Sequence, residues 1–163
     1  MDEKQEVAGN KASVVIANPN GIMVNGGGFI NTANALLTTG RPEYDHIGNL
    51  QDIRVEKGTV SVDGAGLNGR EADSVSIYTR AAEINAGLWA NYLNITTGAN
   101  IINTETGTIN LTEAKSEQTQ IALDVSAVGG MYAGVIELIG TEKGLGVNNA
   151  GFIGATRSFL QLY

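Results

Sequence analysis

The chain has 163 residues, with 17 acidic and 10 basic side chains, one His, no Cys and 22 Gly. This length suits one domain with a substantial core. The lack of Cys excludes disulfides, thiolate metal sites and a Cys nucleophile, and a single His excludes a multi-His metal site. A net charge of −7 argues against binding to nucleic acid or to an anionic membrane surface.

The start of the chain and its apolar runs bear on targeting. No apolar run approaches the roughly 20 residues that a membrane-spanning helix needs. Residues 1–6 are mostly charged and lack the apolar region of a signal peptide, so we expect this chain to carry none.

Short runs with a period of two recur along the chain and predict strands, whereas no long helical periodicity is found. Gly, Asn and Thr interrupt these runs at nearly regular intervals. In chain order, the predicted strands cover residues 13–16, 21–24, 52–55, 59–62, 74–78, 83–85, 92–95, 107–111, 121–125 and 135–139.

Many short strands fit a sandwich, a barrel or a β-solenoid. Dipeptides typical of hairpins are few, and the 16 Asn and 22 Gly are spread over the whole chain, as corners of stacked coils require. The segment at 28–32 resembles the segments at 100–104 and 151–154, and such internal similarity is typical of stacked repeats. We therefore favour one spiral of in-register parallel rungs, whose corners are made by Asn and Gly.

Residues 80–90 are rich in Ala, which favours a narrow interior. In a solenoid, Ile84, Leu88 and Trp89 would supply bulk between the small residues. A short helix stays open as the alternative, because Ala, Glu and Leu are good helix formers.

Two polar segments are predicted as excursions from the solenoid, at 41–50 and 112–119. In the first, Pro42 lacks an N–H for a strand ladder and restricts Arg41, so a loop is predicted. The second is predicted as a loop or one helical turn. Neither resembles a domain boundary, so residues 1–163 are predicted to form one domain.

Residues 14–22 include Asn18-Pro19-Asn20-Gly21-Ile22 and resemble the Asn-Pro-Asn-Gly-Ile motif of two-partner secretion exoproteins. The similarity continues in order to residue 154, with the segments that follow this motif in filamentous haemagglutinins and contact-dependent growth inhibition effectors. The resemblance implies an all-β fold, a right-handed single-stranded parallel β-helix. It also implies a secretion domain without enzymatic activity or cofactor.

The same resemblance implies a partner and a location. The partner is an outer-membrane two-partner secretion pore protein, whose periplasmic domains would bind the segment in an extended or partly folded state. The parent protein would be an adhesin, a haemagglutinin or a growth inhibition effector, exported through the periplasm to the medium or the bacterial cell surface. Outside, each new coil would bury residues such as Ile84, Ile95, Leu123 and Val125 against the previous one.

The chain departs from the family at its start. Family domains carry a signal peptide, an N-terminal cap and an earlier Asn-Pro-Asn motif, and residues 1–5 are unmatched in their place. We therefore expect a truncated secretion domain with an uncapped first coil. Its open strand edges invite self-association.

The candidate recognition site is the turn at Asn18, Pro19, Asn20, Gly21 and Ile22. Asn18 can accept a hydrogen bond from the backbone two residues on, Pro19 presets φ near −65°, and Gly21 gives an unhindered exit. Two roles stay open and can coexist: a turn that sets the register of the coils, and a direct contact with the transporter.

Two other features have a local explanation. The run 26–28 is all Gly, but it lacks the strand, helix and Lys of a phosphate loop, so a bulge or coil corner is predicted. Asp45 and His46 could form a base with its orienting carboxylate, but they lie in a predicted exposed loop without a nearby nucleophile.

The rival functions are a carbohydrate-binding adhesin module and a β-helix enzyme that degrades polysaccharides. Asp52, Asp63, Glu71 and Asp73 form the one acidic grouping that could bind Ca²⁺ or act on a sugar bond. The basic residues around them, Arg54, Lys57 and Arg70, are scattered in the sequence, which disfavours the enzyme.

Overall fold

A computed structural model describes residues 1–117 and 120–156, together with the backbone of residues 160–162. No helix in these ranges is long and apolar enough to span a membrane. The regular elements found there are strands: β1 (Lys4–Glu6), β2 (Ala12–Ala17), β3 (Ile22–Ile30), β4 (Thr32–Thr38), β5 (Arg41–Tyr44), β6 (Leu50–Val55), β7 (Thr59–Gly69), β8 (Ala72–Thr79), β9 (Ala81–Ile84), β10 (Gly87–Ala90), β11 (Tyr92–Thr97), β12 (Asn100–Asn103), β13 (Ile109–Leu111), β14 (Ile121–Val125), β15 (Gly130–Ala133), β16 (Val135–Gly140), β17 (Gly146–Asn149), β18 (Phe152–Ala155) and β19 (Leu160–Leu162).

Successive coils stack through parallel pairing on three faces. On face 1, the first parts of β3 and β7 pair with each other, and β9, β14 and β17 follow. Face 2 runs from β1 through the second parts of β3 and β7 to β10, β15 and β18. Face 3 contains β2, β4, β8, β11, β16 and β19 in that order. The predicted parallel β-helix is therefore confirmed.

Aliphatic side chains stack in register inside the solenoid. Ile16 pairs with Leu37, Leu37 with Ile77, Ile77 with Ile95, and Ile95 with Leu138. The last four are buried in one continuous core, against which Ile16 packs. Each fully buried aliphatic side chain contributes about 1.5–3 kcal/mol of transfer free energy, so the column drives the stacking of coils.

Asparagine makes the corner between faces 2 and 3, as the sequence predicts. Asn31 has a positive φ of 53°, which Asn tolerates better than most residues. Its Nδ2 donates to the carbonyl oxygens of Val7 and Gly9 in the previous coil, both at 2.8 Å. Asn91, two coils later, makes the equivalent bonds to the carbonyl oxygens of Arg70 and Ala72 at 2.9 and 2.7 Å. These amides satisfy backbone carbonyls where the sheet hydrogen bonds stop.

Residues 81–90 form strands β9 and β10, so the helical alternative is wrong. Ile84 and Leu88 lie in the core with the Ala residues beside them, as expected for a narrow interior. The prediction that Trp89 also points inward is wrong. Side chains alternate along a strand, so a buried Leu88 places Trp89 on the outer surface.

A four-stranded antiparallel sheet, in the order β13-β12-β6-β5, was not predicted. The expectation of parallel rungs alone is therefore incomplete, and the predicted loop at 41–50 is wrong for Arg41–Tyr44, which is β5. Pro42 is tolerated there because β5 is an edge strand. Ile53 and Val55 are buried against Leu36 of face 3, with Tyr78 packed beside them, so the sheet covers that face.

The similar segments at 28–32, 100–104 and 151–154 do not stack in register on one another in the solenoid. Residues 100–103 belong to antiparallel strand β12, whereas Phe29 is buried on face 2. Phe152 is in register with Gly130 and is exposed on the outside. Residues 112–117 form no strand, and residues 118 and 119 of that predicted excursion lie outside the described residues.

The first coil pairs with the second from its first residues. The Met1 amino group donates to Met23 O at 2.6 Å, and Asn25 N–H donates to Met1 O at 2.8 Å. Lys4–Glu6, which overlaps the segment 1–5 that was expected to be unmatched, forms β1 against β3. On face 3, β2 is the edge strand.

Candidate functional site

The Asn-Pro-Asn-Gly motif forms a hydrogen-bonded turn between β2 and β3. Gly21 N–H donates to Asn18 O at 3.1 Å, and Asn20 N–H donates to Asn18 Oδ1 at 3.0 Å. The second bond is the one predicted for Asn18. Asn18 N–H also donates to Thr38 O at 3.0 Å, which ties the turn to the second coil. The turn is therefore rigid and held against its neighbour.

Gly21 and Ile22 explain how the turn leads into the core. Gly21 has a φ of +125°, a conformation that L side chains rarely adopt, and a Cβ there would lie 3.1 Å from Thr59 O. Ile22 then starts β3, is buried, and pairs with Val60 on face 1. Asn18 and Asn20 stay exposed and Pro19 is half-buried, so the turn combines a structural role with an accessible surface.

Beside the turn lies a pocket, which we call the basic pocket. Lys57 Nζ reaches Asn20 Oδ1 at 3.3 Å and so connects the two features. The sequence shows Arg54 and Lys57 as scattered, but the fold gathers them beside two further basic side chains. The pocket is lined by Pro19, Thr39, Arg41, Arg54, Glu56, Lys57 and Lys115.

Two carboxylates partly balance the charge of the basic pocket. Glu56 pairs with Lys115 at 2.9 Å and with Arg41 at 3.1 Å, and the hydrogen bond from Lys115 is the main reason why the pKa of Glu56 is lowered. Arg54 Nε donates to Glu43 Oε1 at 2.6 Å, and this bond is the main cause of the raised pKa of Arg54.

The Asp45 carboxylate is hydrogen-bonded to its own turn rather than to His46. Asp45 Oδ1 accepts from the backbone N–H groups of Ile47 and Asn49, both at 2.9 Å, and the Asn49 bond is the main cause of the lowered pKa of Asp45. His46 is exposed. Asp45 therefore caps the turn between β5 and β6.

The acidic grouping considered for Ca²⁺ or sugar chemistry is dispersed. Asp52 accepts from Asn103 on the antiparallel sheet, and Asp63 accepts from Asn85 on face 1. Glu71 and Asp73 are paired with lysines of the first coil. Within the ranges that the structure describes, no three acidic or His side chains come close enough to hold a metal ion.

The Gly-rich run at 26–28 lies within β3, where the register shifts between Asn25 and Gly27. This is the predicted bulge at a coil corner. A Cβ at Gly28 would come 2.9 Å from Asn68 O, so close contact between coils explains the residue.

An aromatic stack that the sequence does not indicate lies on the outer surface of face 2. The rings of Trp89 and Tyr132 are 6.2 Å apart, those of Tyr132 and Phe152 are 5.5 Å apart, and the Arg70 guanidinium lies 5.7 Å from the Trp89 ring centre. Trp89 and Tyr132 face each other because β10 and β15 are in register. Their distance in sequence gives no signal of this contact.

Known proteins match this chain over nearly its full length. The family described as the TPS secretion domain matches residues 4–161. A protein named Toxin CdiA from Yersinia pestis is 49% identical over 152 residues, which are 93% of this chain and 5% of that protein. A tRNA nuclease CdiA from Escherichia coli O6:K15:H31 is 48% identical over 143 residues, which are 88% of this chain and 4% of that protein.

A solved structure agrees with the fold. The crystal structure of a filamentous hemagglutinin secretion domain superposes with a TM-score of 0.86 at 30% sequence identity, over 93% of this chain and 54% of that one. The chain spans only about one-twentieth of the length of the curated CdiA relatives that it matches. The family indicates an exoprotein that is secreted or displayed at the cell surface. The chain belongs to the family of TPS secretion domains, the two-partner secretion domains of CdiA-type and filamentous hemagglutinin-type exoproteins.

Proposed function

We propose that the periplasmic domains of an outer-membrane pore protein recognise this chain through the turn at Asn18–Ile22. The observation that carries the proposal is that Asn18 and Asn20 are exposed on a turn held by two main-chain bonds and by the Asn20 N–H bond to Asn18 Oδ1. A rigid surface turn presents side chains at little cost in conformational entropy. Family membership supplies the class of partner.

The second part of the proposal is that the folded coils act as a template. The last folded rung offers unpaired N–H and C=O groups and an apolar row to the segment that follows, which then stacks as in the column from Leu37 to Leu138. Stacking of each emerging coil would draw the chain outward from the periplasm. Folding outside the cell would thus make export one-way.

The segment itself has no enzymatic role in this proposal. The nuclease and toxin names of the relatives describe proteins of which the match covers 4–5%. A parent protein that is a contact-dependent toxin or an adhesin would carry its activity in other regions. The segment is exported through the periplasm as part of that parent.

Self-association through the first coil is a further part of the proposal. Strand β2 forms the edge of face 3, and its Val15 is 38% exposed. Edge strands with low charge pair readily with other chains. Light scattering at rising concentration tests this, with Val15→Lys as the variant that should keep the chain monomeric.

The experiment is a pull-down of the chain with the purified periplasmic domains of the cognate pore protein. Asn18→Ala combined with Asn20→Ala should reduce capture, because both exposed amides are removed. Asn110→Ala combined with Asn148→Ala removes two exposed amides elsewhere and should leave capture unchanged. Thermal melting of each variant separates loss of contact from loss of fold.

Two results would replace this proposal. Binding of the chain to glycans, with no capture by the periplasmic domains, would favour the adhesin module. Turnover of a polysaccharide that is lost on Asp63→Asn or Asp73→Asn would favour the enzyme.

A further inference from the structure

The basic pocket stands out against the charge of the whole chain. The chain carries a net charge of −7, yet four of its ten basic residues line this one pocket. Arg41, Arg54 and Lys115 pair with the carboxylates of Glu56 and Glu43. Asp52 also acts on Arg54 through its charge, so the four basic groups exceed the three acidic groups around them by one positive charge. A local excess of this kind attracts an anionic group and repels a cationic one.

The chemistry of the pocket points to a carboxylate as its occupant. The pocket already holds Glu56 at hydrogen-bond distance from Lys115 and Arg41, so its cations suit carboxylate oxygens. Lys57 contributes a charge that no carboxylate neutralises within the described part of the chain, where its ammonium meets only the Asn20 amide oxygen. Arg41 and Lys115 are more than half exposed and can reach an incoming group.

The pocket is continuous with the turn that we propose as the recognition site. Pro19 lines it, and the Lys57–Asn20 contact joins its wall to the turn. Pro19, Thr39, Arg41, Arg54 and Lys57 all lie within the first 57 residues, so the first two coils and the β5–β6 hairpin bring most of the pocket together. A partly folded chain can therefore already present it.

We propose that the basic pocket receives an Asp or Glu side chain from an acidic segment of the transporter's periplasmic domains, while the adjoining turn contacts the same domains. This inference rests on the proposed function, and it adds the chemistry of the partner surface. Charge pairing of this kind speeds association and sets the orientation of the two partners.

The test measures the dissociation constant between the chain and the periplasmic domains of the cognate pore protein at low and high salt. The pocket variant combines Arg41→Gln, Lys57→Gln and Lys115→Gln. The matched control combines Lys4→Gln, Lys11→Gln and Arg70→Gln, which changes the net charge equally at distant exposed positions. We expect the pocket variant to bind about tenfold more weakly at low salt and the control less than threefold more weakly.

A variant that is expected to bind more tightly distinguishes an effect of charge from an effect of misfolding. Glu56→Gln removes a negative charge from the pocket and should tighten binding several-fold at low salt. High salt should reduce the differences among all variants, because the charges are exposed and therefore screened.

The outcomes separate this inference from the proposed function. If the pocket variant and the control bind equally, or if Glu56→Gln binds more weakly, the basic pocket does not receive an acidic side chain. The proposed recognition of the turn is not affected by that result. No binding of the unaltered chain overturns the proposed function. Loss of binding by the pocket variant together with tighter binding of Glu56→Gln supports the inference, since misfolding cannot produce both.

Discussion

Arg80 and Glu142 form a buried two-point ion pair across the C-terminal side of the solenoid. Arg80 Nε and Nη2 donate to the two carboxylate oxygens of Glu142 at 3.0 and 2.9 Å, and the Arg80 side chain is 3% exposed. Arg80 Nη1 also donates to Ser116 O and Oγ, both at 2.6 Å. A single guanidinium thus connects the end of β8 with the segment before β14 and the segment after β16.

Replacement of Arg80 by Ala should lower the free energy of unfolding by about 3 kcal/mol, because it leaves Glu142 and the Ser116 carbonyl without their donor. The value lies at the low end for such pairs because Glu142 is 17% exposed. Urea unfolding measures the change. Lys11→Ala, which breaks an exposed pair with Asp73, should cost less than about 1 kcal/mol. Equal losses for the two variants would contradict a special role for Arg80.

Gly21→Ala should destabilise the domain by about 1–3 kcal/mol, because Ala would have to adopt a φ of +125° beside Thr59 O. The measurement is thermal or urea unfolding. Gly146→Ala is the control, since a Cβ there meets nothing within 4 Å. If Gly21→Ala unfolds like the unaltered chain, the turn does not set the path into β3.

Gly130→Val should disrupt the aromatic stack, because a Cβ at Gly130 would lie 2.7 Å from the Tyr132 hydroxyl and would push the ring aside. The single Trp of the chain reports this directly. We expect a shift of its fluorescence emission as the Tyr132 ring leaves the Trp89 face. Gly146→Val should leave the spectrum unchanged, and so would Gly130→Val if the rings did not touch.

The β5–β6 hairpin should lose stability in acid. The pKa of Glu56 is lowered from 4.5 mainly by its hydrogen bond with Lys115. A carboxylate with a lowered pKa stabilises the fold fully above its unfolded pKa, and this contribution is lost as the pH falls through the folded value. When melting temperatures are measured from pH 7 downward, they should begin to fall once the pH drops below about 4.5.

Glu56→Gln provides the comparison for this pH dependence. The variant should melt lower than the unaltered chain at pH 7 and should show a shallower decline in acid, because the group that titrates is gone. Asp45, whose pKa is also lowered, keeps part of the acid sensitivity in both chains. Parallel melting curves for the two chains would show that Glu56 does not contribute.

The sequence alone determined the strands with clear alternation and which of their side chains face the core. Alternation predicted runs such as 59–62 and 74–78, and burial of one face of each strand made Val60, Val75 and Ile77 inward residues. The turn chemistry of Asn18-Pro19-Asn20-Gly21 is also local, since its bonds join residues two or three positions apart. Such features depend on backbone geometry over a few residues, which the sequence states directly.

Only the tertiary structure decided which distant residues meet. The antiparallel sheet depends on pairing between β6 and β12, whose residues Arg54 and Ile101 are far apart in the chain, and no local pattern encodes that register. The Trp89–Tyr132 stack and the gathering of Lys57 with Lys115 arise in the same way. Excursions of different length separate successive coils, so a fixed sequence repeat cannot reveal which residues stack, whereas the backbone hydrogen bonds between coils can.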